Sequence, residues 1–169
     1  VRFFLDSEFA EDGRVIDLIS IALVADDGRE YYAVATDGWS PESCNDFVKA
    51  NVLPKLPPRD SGAWKPRAQI AAEIRDLLLA EGKPEVWGYF SDYDWVVLCQ
   101  LYGRMVDLPE GFPFWCRDLK QLMWSRGFEK SEIPVENKNE HDAIADARWI
   151  RYAWAWIAAQ PSRGDVSWR

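Results

Sequence analysis

Asp6-Ser7-Glu8 sets two carboxylates one residue apart, directly after the apolar run Val1-Arg2-Phe3-Phe4-Leu5. If that run is a β-strand, alternate residues share a face: Phe4, Asp6 and Glu8 point one way, Phe3, Leu5, Ser7 and Phe9 the other. Neighbouring carboxylates repel each other and resist burial. A hard divalent cation such as Mg²⁺ or Mn²⁺ removes both objections, because it prefers carboxylate oxygens. The alternative is a strand that runs out into solvent with both acids hydrated.

Two later positions extend the pattern. Ser91-Asp92-Tyr93-Asp94-Trp95 opens a helix straight after a buried strand, a common place for an active-site crevice in an α/β sheet. Asp94, in the first turn, is the stronger candidate, although helix starts attract aspartate for capping alone and either Asp92 or Asp94 could be the cap. Further on, His141 is followed five residues later by Asp146. The helix around Asp146 is apolar nearly all round, with Ala143, Ile144, Ala145, Ala147, Trp149 and Ile150. A carboxylate in that company must be paired or bound to metal, and Arg148 or Arg151 is the alternative partner. Five residues of helix put His141 about 140° away from Asp146. The histidine therefore belongs on the preceding loop or at the cap. There an imidazole, which titrates near neutrality, could take a proton from water.

Composition narrows the chemistry further. One histidine in 169 residues excludes, within one chain, a zinc site built from two or three imidazoles. A formal charge of −8 speaks against a protein that coats nucleic acid passively, which would normally be basic. It does not exclude an enzyme, since carboxylates that hold cations are neutralised in the working site. Cys44, Cys99 and Cys116 are widely spaced without a CxxC, so a reduced, cytoplasmic setting is expected. No apolar stretch reaches membrane-spanning length, and the opening stretch, with its early acids, does not read as a secretory signal. With 48% hydrophobic residues and ten Trp, the chain can bury the core of one domain, expected over residues 1–160. Residues 161–169 read as a flexible tail.

These candidates need a scaffold. Strands are expected over 1–9, 15–25 and 30–36, the last two joined by the hairpin turn Asp26-Asp27-Gly28, giving an antiparallel meander. A short helix over 43–52, capped by Ser40 or Ser43, follows. Residues 53–66 carry four prolines and read as a loop of polyproline character. That loop gathers Lys55, Arg59, Lys65 and the adjoining Arg67 around Trp64, the best local candidate for gripping phosphate or else a solubilising surface. Then come a helix over 66–80, a short strand over 85–90, a helix over 93–102, a strand over 112–116, a helix over 119–126, a polar loop over 131–139 and a long helix over 142–159. A meander continued by crossovers gives an α/β architecture, a mixed central sheet with helices packed on it.

Taken together, Asp6-x-Glu8, Tyr93-Asp94 and His141-x4-Asp146 resemble the three motifs of the DEDDh family of 3′–5′ exonucleases, over Asp6 to about Ala158. The resemblance implies the ribonuclease H-like fold and two Mg²⁺ or Mn²⁺ ions held by Asp6, Glu8, Asp94 and Asp146. It also implies His141 as general base. Two cations about 4 Å apart suit phosphodiester cleavage independently, because they neutralise phosphate and stabilise the leaving oxygen. Phe9 and Tyr93 are candidate stacking partners for terminal bases, and Arg59, Trp64 and Lys65 candidate backbone contacts. One departure is Phe90, which stands where members often carry an asparagine and leaves room for Asp92 in a supporting part. The hairpin Asp27-Gly-Arg-Glu-Tyr-Tyr32 and the loop Leu53-Pro-Lys-Leu-Pro57 are similar to the small actinobacterial 3′ exoribonucleases of this family. That similarity implies single-stranded RNA, adenylate-rich ends and a homodimer. The rival readings are a DNA exonuclease of the same fold, a small-phosphoester hydrolase, and a binding module that has lost catalysis.

Overall fold

The computed structural model describes residues 1–161 and 163. Apart from Pro161 and Arg163, the tail expected from 161 to 169 lies outside the described residues. The meander is formed by β1 (Arg2–Glu11), β2 (Ile16–Ala25) and β3 (Glu30–Ala35). Short β4 (Trp64–Lys65), β5 (Glu85–Gly88) and β6 (Arg117–Asp118) complete a six-stranded mixed sheet in the order β4-β3-β2-β1-β5-β6. The meander pairs are antiparallel; β3 with β4, β1 with β5 and β5 with β6 are parallel. The hairpin turn forms as expected, with Gly28 at φ 93 donating its N–H to the Ala25 carbonyl at 3.0 Å.

Among the described residues five α-helices pack on the sheet: α1 (Asp46–Asn51), α2 (Arg67–Leu79), α3 (Asp92–Gln100), α4 (Leu119–Arg126) and α5 (Ala143–Ala159). The alternation of β1 decides which helix meets which face. Phe3 and Leu5 pack with Ile70, Ile74 and Leu78 of α2 and Val97 and Leu98 of α3. Phe4, on the opposite face, packs with Trp87, with Leu119 and Met123 of α4, and with Trp149, Ile150 and Ala153 of α5. Ala143 and Ala147 fit against Ala22 and Val24 of β2, so small side chains on both partners bring the first turn of α5 close to the sheet.

Several boundaries differ from expectation, each for a local reason. No strand forms over 112–116; Pro113 cannot donate to a ladder, and Phe114 and Trp115 are exposed. The edge strand is instead Arg117–Asp118. Residues 53–66 are not wholly loop, since Trp64 and Lys65 pair with Val34 and Ala35. The first helix starts at Asp46 because Asn45 caps it, its Oδ1 accepting from the Val48 N–H at 2.9 Å, while Ser40 caps a separate 3-10 turn at Pro41–Ser43. Strand β5 stops at Gly88, two residues early, and Phe90 adopts φ 55 in the turn into α3.

That turn is tight. A Cβ on Gly88 would lie 2.5 Å from the Ser91 Cβ and 3.4 Å from the Leu5 carbonyl oxygen. Gly88→Ala is therefore expected to cost about 1–3 kcal/mol, measured by urea unfolding. An unchanged midpoint would show that the β5–α3 turn yields freely.

Candidate active site

Pairing of β1 with β5 covers only Arg2 to Phe4, so β1 continues past the end of its parallel neighbour. The chain turns at that end into α3, and Asp94 in its first turn fills the gap. Its Oδ1 accepts from the Ser7 backbone N–H at 2.8 Å and from the Ser7 hydroxyl at 2.6 Å. Asp94 thus completes the edge of a strand that has run out of partners. Asp92 is exposed and lies outside the cleft, which settles which of the two acids faces inward.

Asp6 and Glu8 emerge on the α5 face, where the first turn of α5 presents Asp146. Asp6, Glu8 and Asp146 can each offer one oxygen such that all three lie within 4.8 Å of one another. The two arginines that could have neutralised Asp146 are engaged elsewhere: Arg148 pairs with Glu30, and Arg151 donates to the Asp26 carbonyl. Asp146 is held instead by the chain before α5. It accepts from the Asn137 amide, from the His141 N–H at 2.8 Å and from the Asp142 N–H at 3.2 Å. Asn137 and Asn139, which sequence reading passed over as polar loop, tie this stretch down. Asn139 donates its side-chain amide to Asp142 and its N–H to Asn137. Two asparagines just before a helix start were the available signal.

The electrostatics are those of crowded like charges. Burial, then Asp94, Asp146 and Glu8, hold the Asp6 carboxyl well above its usual range. Burial, with Asp146 and Asp94, pushes Glu8 up to about 8, and Lys55 opposes the shift. Burial raises Asp94 to about 6 against the two Ser7 hydrogen bonds, and raises Asp146 against the N–H groups of His141 and Asp142. Among the described residues no lysine or arginine forms an ion pair with any of the four. An all-oxygen donor set without a resident cation is what a hard divalent ion fits.

His141 sits just before α5 at φ 64, a conformation in which histidine is among the more tolerated residues. Its ring meets Phe47 of α1 edge-on, with centroids 4.9 Å apart. A cleft of about 510 Å³ opens there, and the four acids and His141 share it with Phe9, Phe47, Phe90, Tyr93 and Lys130. Phe9 and Tyr93 are stacked at 5.8 Å on its wall. Phe47 and Lys130 were not singled out from sequence and come from segments with no motif of their own, while Phe90, noted as the departure from the second motif, lines the cleft.

Arg59, Trp64 and Lys65 lie outside the cleft. Lys65 is paired with Glu73 at 2.7 Å, and the Arg59 guanidinium stacks on Trp64 at 3.5 Å, so this cluster closes the β3–β4 side of the fold. Of that loop only Lys55 reaches the site, donating to the Glu140 carbonyl.

The model of the 3′–5′ exoribonuclease Rv2179c-like domain family matches residues 1–158. Two curated Mycobacterium tuberculosis proteins, the 3′-5′ exoribonuclease Rv2179c of strain H37Rv and its counterpart MT2234.1 of strain CDC 1551, are each 45% identical over 150 residues. The match covers 88% of this chain and 88% of each of them. Among solved structures, S. pombe Pop2p in its Mg²⁺- and Mn²⁺-bound form aligns with TM-score 0.65 and 14% identity, over 98% of this chain and 86% of that one. E. coli exonuclease I in complex with a dT13 oligonucleotide aligns with TM-score 0.65 and 16% identity, over 96% of this chain but 41% of that longer one. At those identities the two structures share the fold alone. Sheet order, helix placement and relatives define the class: a 3′–5′ exonuclease of the ribonuclease H-like fold. Within that class the chain belongs to the Rv2179c-like 3′–5′ exoribonuclease family.

The raised carboxyls make a linkage prediction. Their folded pKa values lie above the unfolded ones, near 4, so the native state holds extra protons and the metal-free protein loses stability as pH rises from about 4 through 8. Asp6→Asn removes one charge and should stabilise the metal-free protein at pH 8 by on the order of 1–3 kcal/mol, about 2–10 °C in Tm. The difference should close below pH 4. Thermal melts in chelator at both pH values check this, and a variant no more stable than the parent at pH 8 would show that hydration already relaxes the cluster.

Proposed function

We propose that residues 1–160 act as one metal-dependent 3′–5′ exoribonuclease domain that removes nucleoside 5′-monophosphates from the 3′ end of single-stranded RNA. The observation that carries this reading is the meeting of Asp6, Glu8 and Asp146 within 4.8 Å, with no cationic side chain among the described residues paired to them, in an aromatic-walled cleft. The names of the curated relatives support RNA over DNA. Two divalent cations, Mg²⁺ or Mn²⁺, would supply neutralisation of the scissile phosphate and of the leaving oxygen.

The chain's own residues do the rest. Asp6, Glu8 and Asp146 would form the main cation-holding set. Asp94, fixed by Ser7 on the α3 side, would help to hold a second ion. His141 takes the proton from the attacking water, whose oxygen bonds to phosphorus as the bond to the 3′ oxygen breaks; the proton passes on to that oxygen. Phe9 and Tyr93 present a stacked pair against which a terminal base can lie. A homodimer, a cytoplasmic setting and a liking for adenylate-rich ends complete the reading; the three cysteines, all free thiols, suit a reduced compartment. No described helix is long and apolar enough to cross a membrane.

Matched RNA and DNA oligomers of one sequence, 5′-labelled and compared by kcat/KM with Mg²⁺ and with chelator, test the function. RNA should be shortened progressively from its 3′ end, faster than DNA, and the chelator should stop it. Equal or faster turnover of DNA would reassign the substrate.

Separate variants distinguish the roles. His141→Ala should fold and bind Mn²⁺ like the parent yet lose about 10²–10⁴-fold in kcat, whereas Asp146→Ala should also lose Mn²⁺ affinity, read by calorimetry. A variant within threefold of the parent kcat would mean another group prepares the water.

A further inference from the structure

His141 is carried by six residues, Asn137 to Asp142, that belong to no helix or strand. Position 140 of this stretch is held from two sides. Lys55, which follows α1, donates to the Glu140 carbonyl. Lys130, in the 3-10 turn after α4, lies 2.6 Å from Glu140 Oε1. The Lys130 ammonium is itself located by two rings, 5.2 Å from the Trp149 centroid and 5.9 Å from that of Tyr89. The next residue is His141, whose N–H bonds Asp146 and whose ring packs on Phe47. Glu140 is thus strung between the α1 wall and the α4–α5 wall, immediately before the imidazole.

We infer that Lys130 is a positioning residue for His141, acting through Glu140 to hold the 137–142 stretch against the cleft. The inference rests on the proposed role of His141 as proton acceptor. Charge supports it from both partners: the hydrogen bond to Lys130 is the first cause that lowers the Glu140 carboxyl, and the one to Glu140 the first that raises the Lys130 ammonium. Both side chains are about half exposed, 47% and 51%, so the pair adds little to global stability. Its effect is local, on how much of the time an irregular segment keeps one position. Loss of position lowers the rate of the step that needs the imidazole and leaves substrate affinity largely intact.

Lys130 also lines the cleft, so direct contact with a substrate phosphate is the competing role, and kinetics separate the two. Lys130→Met, Lys130→Arg, Glu140→Gln and the double variant Lys130→Met/Glu140→Gln would be assayed on single-stranded RNA at saturating Mg²⁺. Lys130→Met should lose about threefold to tenfold in kcat with KM within twofold of the parent. Lys130→Arg should restore kcat to within twofold, and the double variant should be no slower than Lys130→Met alone. Independently of activity, amide hydrogen exchange over residues 137–142 should quicken in Lys130→Met while the β1–β2 core stays protected. A KM raised fivefold or more at unchanged kcat would make Lys130 a phosphate ligand and overturn the inference. Unchanged exchange over 137–142 would overturn it too. A parent protein that cleaves no RNA would sink the proposed function instead, and the exchange comparison would then decide the role of Lys130 alone.

Discussion

Like-charge repulsion among four carboxylates, gathered where β1 outruns β5, is the constraint that the surrounding structure answers. Burial raises the proton affinity of Asp6, Glu8, Asp94 and Asp146, and neighbouring carboxylates of the set raise it further at Asp6, Glu8 and Asp94. Such a cluster persists only where something over-determines its geometry. Two of the acids are fixed by donors the fold places there. Asp94 takes the N–H and hydroxyl of Ser7, and Asp146 takes N–H groups from His141 and Asp142. The other two are fixed by strand alternation, since Asp6 and Glu8 cannot turn from the α5 face without moving Phe3, Phe4 and Leu5 out of the core. Repulsion that hydrogen bonds do not offset remains available to a divalent cation as binding energy.

The same features show why so short a sheet edge can carry a site. A parallel neighbour that stops early leaves one N–H on β1 unpaired, and the first helical turn of α3 supplies the acceptor. Gly88 lets the turn between them close, with no room for a side chain. On the other face, alanines at 143 and 147 pack on β2 and set Asp146 beside the neighbouring strand that bears Asp6 and Glu8. The gathering of the acids and backbone satisfaction are one arrangement here: removing the acid from Asp94 would also orphan a buried N–H.

Rigid elements hold the acids, and an irregular segment holds the histidine. The acids must sit within a few ångströms of one another in a fixed frame, which strands and helix starts provide. The histidine sits at the edge of the cleft, on a segment without regular structure. Its left-handed backbone conformation, its edge-on contact with Phe47 and the two lysines at Glu140 replace the support that regular structure would give.

Much of this was legible in the sequence. Alternation through Phe3 to Phe9 assigned faces, the apolar surroundings of Asp146 marked a carboxylate in need of a partner, and the five-residue spacing kept His141 off its helical face. These are local properties, set by side-chain periodicity and by the chemistry of single residues. Tertiary structure decided what depends on distant segments meeting. It chose Asp94 over Asp92, because only the former faces the unpaired N–H of Ser7 eighty-seven residues away. It turned Arg148 and Arg151 towards the β2–β3 hairpin and so denied Asp146 a cationic partner. It drew Lys65 to Glu73 and Arg59 onto Trp64, outside the cleft, and brought Phe47 and Lys130 into the cleft from stretches without a motif. Which charge neutralises which, and which aromatic ring lines which wall, are settled by the packing of separate elements, and no periodicity within one of them records it.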